Sequence, residues 1–336
     1  MSTIAQNLQT IATAKANIAT SINNKGGSVT SSTPLSAYSA AIDAIPSGGG
    51  GAVASATPGT KFSQSTWTAC PYDLSAISGD MSDMFKECGN LVTGPQISGA
   101  CTDASGMFFG CASLVTNPQL NTSACTSMTY MFCNCGLATI PQLNTSSCTD
   151  MSYMFNCCRG LTGGTALASY DFSNVRTCTE MFSDSIFQIT TLPVMNTSAC
   201  TNFWAMLRFN SDALTRVEGI YLNSWEGGEI FGDWVGDPDD QQNHPNLTYV
   251  MLYNLGMSEE AYDDFDLSCL MDWGDGGSAN HQSLIDSLYT NAYDRATAGY
   301  ETRKIKLHPY TYARLSQQEI DNIESKGYEV VDIMNE

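Results

Sequence analysis

The stretch Cys148-Thr149-Asp150-Met151-Ser152-Tyr153-Met154-Phe155-Asn156-Cys157-Cys158 decides the fold, because its Met-Phe pair returns along the chain at a nearly constant spacing. The intervals between successive copies are 23, 24, 23, 27 and 25 residues. A sustained period of this size is typical of a solenoid in which each repeat forms one small supersecondary unit. Stacked units offer an extended surface, which favours binding over catalysis. The copies are Met84-Phe85, Met107-Phe108, Met131-Phe132, Met154-Phe155, Met181-Phe182 and the degenerate Met206-Leu207.

Two cysteine positions accompany the Met-Phe pairs. One lies four residues after the Met in four successive copies, and the other lies six residues before the Met in four copies. Equivalent positions of stacked repeats lie above one another, so side chains at constant registers predict continuous columns in the core. The predicted core residues are Cys88, Cys101, Cys111, Cys125, Cys135, Cys148, Cys158 and Cys200, with Phe85, Phe108, Phe132, Phe155 and Phe182.

The phrase Thr149-Asp150-Met151-Ser152-Tyr153-Met154-Phe155, with Cys158 and Leu161 behind it, resembles the BspA-like leucine-rich repeat of bacterial surface proteins. That repeat also occurs in surface and virion proteins of gut bacteria and their phages. The resemblance covers about residues 75 to 220 and implies a right-handed arc, with a short strand on the concave side and a helical or irregular segment behind it. We therefore predict an α/β repeat fold, a leucine-rich-repeat solenoid over residues 61–290.

Thirteen cysteines leave three interpretations open. Free cysteine is among the most buried residue types, and a constant register favours buried, reduced thiols. Disulfide scaffolds of small secreted proteins space their cysteines irregularly instead. Zinc is the third interpretation, but Cys133-Asn134-Cys135 and Cys157-Cys158 lack the two-residue gap of a zinc ribbon. We predict buried thiols, no metal and no cofactor.

Three Asn-Thr-Ser triplets begin at Asn121, Asn144 and Asn196 and match a glycosylation sequon. They share one repeat register, and Asn followed by Thr or Ser suits a turn whose side chains bond the local backbone. We interpret the triplets as turns.

The chain is strongly acidic. Its 34 Asp and Glu residues against 14 Lys and Arg residues give a formal net charge of −20. Such a charge repels nucleic acid and anionic membrane surfaces. No stretch approaches the ~18 apolar residues of a transmembrane helix, and residues 1–20 are polar and Ala-rich rather than a signal segment. We predict no nucleic-acid partner, no membrane partner and synthesis in a reducing host cytoplasm.

Residues 1–46 differ from the repeats. Apolar residues alternate at intervals of four and three, the heptad spacing of a helix with one apolar seam. A lone helix with such a seam would expose it, so we predict an attachment and oligomerisation segment, with a trimer favoured by the isoleucines and by the resemblance. Packing against the chain's own domain is the alternative. Residues 47–60 form a Gly/Ser-rich linker. The seam residues are Ile4, Leu8, Ile11, Ile18 and Ile22.

Residues 225–282 break the period and combine carboxylates with aromatic rings, so we predict an insertion in the solenoid. A solvated acidic face is one interpretation of these carboxylates. Contact with carbohydrate or calcium is the second, and a glycosidase pair is the third. Aromatic rings beside carboxylates are a common arrangement for holding sugars, so this segment is the predicted ligand-contacting face. Its predicted contact residues are Trp225, Trp234, Asp237, Asp239, Asp240, Trp273 and Asp275.

Residues 291–336 are predicted to cap the solenoid, since an exposed end of a repeat stack must be covered. Lys304-Ile305-Lys306-Leu307 and residues 328–333 are strand-like. Between them, Ser316-Gln317-Gln318-Glu319 is a capping box that opens a helix. This order predicts a βαβ-like cap.

Two functional classes fit these features. The first is a non-enzymatic virion structural protein, a fibre or appendage of a phage of gut bacteria. In this class residues 1–46 bind other virion proteins and the repeats bind a receptor or glycan on the host surface. The second is a bacterial cell-surface adhesin of the BspA-like family. No nucleophile elbow, phosphate loop or metal-ligand cluster is present in the sequence, which argues against an enzyme.

Overall fold

The computed structural model describes residues 15, 18, 34, 54–63, 65–162, 164–185, 189–208, 213–231, 246–259, 264–268, 270, 273–275 and 277–334. The chain divides into two compact units: Met1–Thr57 with Cys70–Ile77, and Pro58–Ala69 with Ser78–Glu336. In the first unit, Ser55 and Asp73 form a parallel bridge, and the Ala56 N–H donates to the Asp73 carbonyl at 2.9 Å. All further description concerns the second unit unless stated otherwise.

Ten short strands and a few helices make up the regular structure of the described residues. Among them, no helix combines the length and the apolar character that crossing a membrane requires. The strands are β1 (Gly79–Asp80), β2 (Gln96–Asp103), β3 (Gln119–Asn121), β4 (Thr191–Leu192), β5 (Arg216–Tyr221), β6 (Gly228–Glu229), β7 (Tyr249–Tyr253), β8 (Phe265–Leu267), β9 (Arg303–Leu307) and β10 (Tyr328–Asp332). The helices are Thr165–Ser169 (3-10), Ser278–Ile285, Asp286–Thr290 (π), Arg295–Ala298, Pro309–Tyr312 and Gln317–Glu324.

The strands form three sheets, and every strand pair in them is parallel. Their orders are β1-β2-β3, β4-β5-β7 and β10-β9-β8-β6. Parallel neighbours require a long crossover between them, and in β1-β2-β3 and between β4 and β5 that crossover is one repeat. Isolated parallel bridges continue the pairing across the repeats between the sheets, from Asp103 through Ser127, Asp150 and Thr177 to Asn202.

Each Met-Phe pair lies in a turn segment, which we define as the nine residues centred on the Met. Successive turn segments are joined by regular backbone hydrogen bonds. The N–H of Phe85 donates to the carbonyl of Met107 at 2.8 Å, and the same bond recurs from Phe108 to Met131 and from Phe132 to Met154. Other N–H groups bond within their own turn, as from Met84 to Met81. The stacked turns therefore satisfy buried backbone groups without forming a conventional helix.

Two positions of the turn segment have left-handed backbone. The residue before the Met has a φ between 47° and 61°, and the third residue after the Met has a φ between 54° and 71°. This conformation costs about 1–2 kcal/mol for a residue with a Cβ, so the stack must hold it in place. It does so because these N–H groups donate to the next repeat, as from Tyr130 to the Ser152 carbonyl at 2.9 Å. The residues are Asp83, Gly106, Tyr130, Tyr153, Glu180 and Ala205, and then Glu87, Gly110, Asn134, Cys157 and Asp184.

The phenylalanines form one continuous column in the core. Neighbouring rings from Phe85 to Phe182 are stacked with centroids 5.4 to 5.8 Å apart and planes within 7° of parallel. These rings are 0 % exposed. Phe62 extends the column upstream, at 5.3 Å from Phe85. One earlier turn therefore belongs to the stack, although no Met precedes Phe62 in the sequence.

The predicted cysteine core residues are buried and carry free thiols, between 0 % and 4 % exposed. At the position after the Met, the Cys111 thiol donates to the Phe85 carbonyl at 3.1 Å and the Cys158 thiol to the Phe132 carbonyl at 2.9 Å. At the other position, the Cys148 thiol donates to the Asp150 carbonyl at 3.3 Å. Burial raises the pKa of Cys111, Cys148 and Cys158 to about 12, so these thiols stay protonated near neutral pH.

The Asn-Thr-Ser triplets form turns that also join the repeats. The Asn144 side chain accepts the Ser146 N–H at 3.1 Å. The hydroxyl of Thr145 is buried, donates to the Asp171 carbonyl at 3.0 Å and accepts the Asp171 N–H at 2.7 Å. These backbone hydrogen bonds explain why the triplets recur at one position of the repeat.

The predicted insertion at 225–282 contributes directly to the core. Strands β6, β7 and β8 lie within it; β7 pairs in parallel with β5 and β8 with β9, both outside the segment, while β6 pairs with β8. Trp225 packs against Phe203 and Phe265, with ring centroids at 6.5 and 5.1 Å. Parallel pairing thus continues downstream of the last Met of the repeats.

The C-terminal residues place β9 and β10 side by side in parallel, with two helices between them in the sequence. Ser316 and Glu319 form the capping box of Gln317–Glu324. The buried Arg295 guanidinium donates to the carbonyls of Gly256, Ser258 and Glu301 at 2.7, 3.0 and 3.0 Å. A buried charge is stabilised only when its hydrogen bonds are made, and these three carbonyls provide them.

The predicted oligomerisation residues Ile4, Leu8, Ile11 and Ile22 lie outside the described residues, as does most of the predicted linker. Ile18 is helical, as is Lys15, and its side chain is 46 % exposed. The self-association of residues 1–46 stays a prediction.

Candidate ligand-binding surface

The exposed side of the stacked turn segments offers side chains in regular columns. Met and Phe point into the core, while the residue before each Met lies at the surface in most copies. In this outer column Tyr130 and Tyr153 stack with ring centroids 4.4 Å apart and planes 5° from parallel. The column runs through Asp83, Tyr130, Tyr153 and Glu180 and includes the buried Gly106 and Ala205.

Gly106 interrupts the outer column and leaves a cleft beside Tyr130. The cleft has a volume of about 510 Å³, which is within the range of small-molecule sites. A Cβ built on Gly106 would meet only the Asp83 carboxylate, so no other side chain fills the space next to this glycine. The lining residues are Ser82, Asp83, Lys86, Ser105, Gly106, Phe109, Thr129 and Tyr130.

The walls of the cleft are aromatic. Phe109 meets the Tyr130 ring edge to face, with centroids 6.3 Å apart and planes at 66°. The Lys86 amine lies 5.5 Å from the centre of the Phe109 ring. Contacts with Tyr153 on one face and with Phe109 at an angle of 66° position the Tyr130 ring before any ligand arrives. Such preorganised aromatic surfaces bind with little loss of conformational entropy.

The charged residues of the cleft compensate each other. Lys86 Nζ lies 3.5 Å from Asp83 Oδ1, and both side chains are partly exposed. An exposed pair contributes little stability, but it leaves the cleft without net charge from these residues. Both groups therefore keep hydrogen-bonding capacity for a ligand.

A row of hydroxyl groups borders the same cleft. Ser105 Oγ lies 2.8 Å from Ser127 Oγ, which lies 3.1 Å from Thr129 Oγ1. The Ser105 N–H donates to Asp103 Oδ1 at 2.8 Å. Equivalent bonds in other copies involve Asp80 and Asp150, so these acids of the repeat organise turns.

The Tyr153 hydroxyl stays neutral at ordinary pH. Burial, and then the nearby Glu180 carboxylate and Tyr130, raise the pKa of Tyr153 to about 12. A neutral phenol both donates and accepts hydrogen bonds. The surface therefore presents polar but uncharged groups at Tyr153.

A second surface covers sheet β4-β5-β7. Arg216 lies 3.7 Å from the centre of the Tyr249 ring, and its Nε lies 3.0 Å from Glu218 Oε1. Tyr221 and Tyr253 stack nearby at 4.7 Å. A hollow of about 580 Å³ adjoins Glu218. The hollow is lined by Thr162, Gly164, Thr165, Ala168, Ile189, Thr190, Thr191, Pro193 and Glu218.

Two of the predicted ligand contacts are wrong. Trp225 is 1 % exposed and Trp273 is 0 % exposed, because both rings fill the core of the segment that continues the parallel sheets. Asp275 is at the surface, 61 % exposed, and pairs with Arg314 at 3.2 Å. The remaining predicted contacts, Trp234, Asp237, Asp239 and Asp240, lie outside the described residues.

Sequence reasoning missed the exposed aromatic residues of the turn segments. Trp204 is 44 % exposed and Tyr130 is 38 % exposed. A usable signal was present, because these positions change chemistry from copy to copy while the neighbouring Met and Phe stay constant. Within the described part of the chain, no group of three or more His, Cys, Asp or Glu residues could hold a metal ion.

Comparison with protein families agrees with the repeat. Residues 62–137, 79–186 and 102–218 each match the family described as Mycoplasma protein of unknown function, DUF285. The last two matches begin 23 residues apart, which equals the first repeat interval. The matches support a BspA-like repeat protein. No curated protein and no solved structure matches the chain.

Proposed function

We propose that this protein is a non-enzymatic binding protein, a leucine-rich-repeat solenoid of the BspA-like class. The turn segments display a recognition surface for a receptor or glycan on a host cell. The observation that carries this proposal is the outer column with the Gly106 cleft, in which exposed aromatic and polar side chains stand on a hydrogen-bonded backbone.

Physical features of the column support a binding role. Each outer residue donates its backbone N–H to the following repeat, and its carbonyl accepts an N–H within its own turn. Sites built on rigid elements hold their contacts more accurately than sites on free loops. Repeat stacks also bind through extended surfaces rather than through one deep site.

We propose that the protein is carried on a virion, as a fibre or appendage of a phage of gut bacteria. Residues 1–46 would attach it to other virion proteins and to further copies of the chain. Support comes from the sequence resemblance and from the exposed Ile18 on its helix. The alternative carrier is the bacterial cell surface, where the same repeats would serve an adhesin.

Cell binding tests the proposed role. Labelled full-length protein is incubated with a panel of gut bacteria, and bound fluorescence is measured by flow cytometry. We expect binding to a subset of strains and a loss of binding with Tyr130→Ala. The control is Val115→Ala, which alters an exposed side chain that does not line the cleft. Equal binding by wild type and Tyr130→Ala would contradict a role for the outer column.

The carrier requires a separate measurement. Mass spectrometry of purified virions and of washed bacterial envelopes, both from a culture that produces the protein, should detect it in the virions. Detection only in envelopes would favour the adhesin.

A further inference from the structure

The Gly106 cleft has the shape of one missing ring in an aromatic column. Tyr153 covers one face of the Tyr130 ring at 4.4 Å. On the other side of Tyr130, the equivalent residue of the preceding repeat is Gly106, which has no side chain. The next residue of the column is Asp83, whose carboxylate reaches toward Gly106. The Asp83 carboxylate takes up part of this space, and the gap is the remaining opening beside Tyr130, which belongs to the cleft of about 510 Å³.

The chemistry around this gap is apolar on one side and polar on the other. Tyr130 provides a flat apolar face, and Phe109 closes the side of the gap. Hydroxyls of Ser105 and Thr129, the Asp83 carboxylate and the Lys86 amine surround it. A ligand that fills the gap must present one apolar face and several hydrogen-bonding groups at its rim.

A pyranose ring meets both requirements. Its axial C–H groups form an apolar face that packs against an aromatic ring, and its equatorial hydroxyls point outward. Carboxylates accept hydrogen bonds from hydroxyls, and an ammonium group donates to them. A flat aromatic side chain of a peptide would also stack on Tyr130, but it would leave most of the polar rim without partners, which is unfavourable.

Charge decides between neutral and acidic sugars. Asp83 and Lys86 pair at 3.5 Å and so add no net charge to the cleft. The chain carries a formal net charge of −20, which disfavours the approach of an anionic ligand. Both observations favour a neutral hexose over a uronic or sialic acid.

We propose that the Gly106 cleft binds one neutral hexose residue of a surface glycan, with the sugar ring stacked on Tyr130 and its hydroxyls bonded to Asp83, Lys86, Ser105 and Thr129. This inference rests on the proposed function, because it names the ligand class and the position of the binding surface.

Filling the gap tests the inference. Gly106→Tyr restores the missing ring of the column. Tyr130 and Tyr153 already occupy the same backbone conformation, each with φ 58°, against 61° for Gly106. A Cβ at this position would meet only the end of the Asp83 side chain and no backbone atom, so the variant is expected to fold. The matched control is Val115→Tyr, which adds a ring at a site that is 54 % exposed and does not line the cleft.

Both variants and the wild type are titrated with immobilised neutral oligosaccharides of glucose, galactose, mannose and N-acetylglucosamine. Circular dichroism and the thermal midpoint verify folding. We expect wild type and Val115→Tyr to bind at least one of these saccharides equally. Gly106→Tyr should bind that saccharide about tenfold more weakly or not at all, a loss of at least ~1.4 kcal/mol.

Other outcomes overturn the inference. Undiminished saccharide binding by a folded Gly106→Tyr would place the sugar elsewhere. If the wild type binds bacterial cells but none of the neutral saccharides, the sugar assignment is wrong while the proposed function stands. Competition of cell binding by an aromatic peptide and not by saccharides would assign the cleft to a protein receptor. Absence of both cell and saccharide binding would remove the proposed function as well. If Gly106→Tyr fails to fold, Tyr130→Phe and Tyr130→Ala replace it. We expect Tyr130→Phe to retain saccharide binding and Tyr130→Ala to lose it. Equal saccharide binding by these two variants would overturn the inference.

Discussion

Tyr130 and Tyr153 stand 23 residues apart in the sequence and stack face to face, with ring centroids 4.4 Å apart. Both have a φ of 58°, and each donates its backbone N–H to the following repeat. The stack is therefore a consequence of the backbone ladder, which places equivalent residues of successive repeats directly above one another. The same ladder that orders the core also orders the exposed surface.

The phenylalanine column should be a main source of stability. Phe132→Ala removes a fully buried ring that stacks at 5.5 Å on Phe108 and at 5.7 Å on Phe155. We expect the free energy of unfolding to fall by about 3–5 kcal/mol, because the cavity is closed on both sides. Urea denaturation followed by circular dichroism measures the loss. The control is Val115→Ala, at a site 54 % exposed, which should change the free energy of unfolding little. An equally small change for Phe132→Ala would contradict the burial of Phe132 in the core.

At the left-handed backbone positions, the effect of a substitution on stability should depend on the shape of the new side chain. Asp184 is exposed and has a φ of 54°. We expect Asp184→Val to lower the free energy of unfolding by about 1–2 kcal/mol, since a branched Cβ is strained there. Asp184→Gly should be neutral or stabilising, because glycine adopts this conformation without strain. Equal stability of the two variants in chemical denaturation would argue against the left-handed geometry.

The buried thiols should resist labelling and should make the fold sensitive to alkali. Native protein is expected to react with a thiol reagent at few of its thirteen cysteines, and unfolded protein at all of them. Rapid native reaction of most thiols, or several native disulfides in mass spectrometry, would contradict the buried columns.

The pH dependence follows from the raised pKa values. Burial raises the pKa of Cys148 from 9.0 to about 12. In this interval the folded state holds a proton that the unfolded state releases, so the stabilising contribution is complete below pH 9 and is lost as the pH rises toward 12. Cys148→Val should reduce the fall in unfolding free energy between pH 8 and about pH 10.5, since Val175 occupies the equivalent position in another copy. If Cys148→Val and wild type lost unfolding free energy equally over this pH range, the Cys148 thiol would not contribute to the pH dependence of stability.

Tryptophan substitutions separate packing from binding. Trp225→Ala should cost about 3–5 kcal/mol of folding free energy, because its ring is 1 % exposed and packs on Phe265. Trp204→Ala, at a site 44 % exposed, should leave the thermal midpoint close to that of wild type. Differential scanning fluorimetry distinguishes them. A stable Trp225→Ala with impaired cell binding would restore the original ligand assignment.

Residues 1–46 should hold the protein together as a homo-oligomer, with a trimer favoured. The predicted seam spans only about three heptads, and isolated helices of that length are marginal in water. Light scattering should find full-length protein oligomeric and a chain beginning at Ala52 monomeric. If both forms were monomeric, residues 1–46 would serve only for attachment to another protein.

The repeat of the core could be predicted from the sequence because Met, Phe and Cys recur at fixed registers. Buried columns tolerate little change in volume, so their residues stay constant and the pattern is visible. Phe62 escaped this reasoning because Lys61 stands where the Met would be. The ligand contacts were harder to predict, since an aromatic residue beside carboxylates is compatible both with a sugar site and with a core position such as Trp225.

The sequence by itself determined the period, the identity of the core columns and the acidic charge, because these depend only on spacing and composition. The tertiary structure decided which aromatic residues face outward. Whether Trp204 is exposed and Trp273 is buried depends on which strands pair in parallel around them. The cleft likewise exists only in the stack: a glycine at position 106 becomes a gap because the repeats on either side place Asp83 and Tyr130 in the same column.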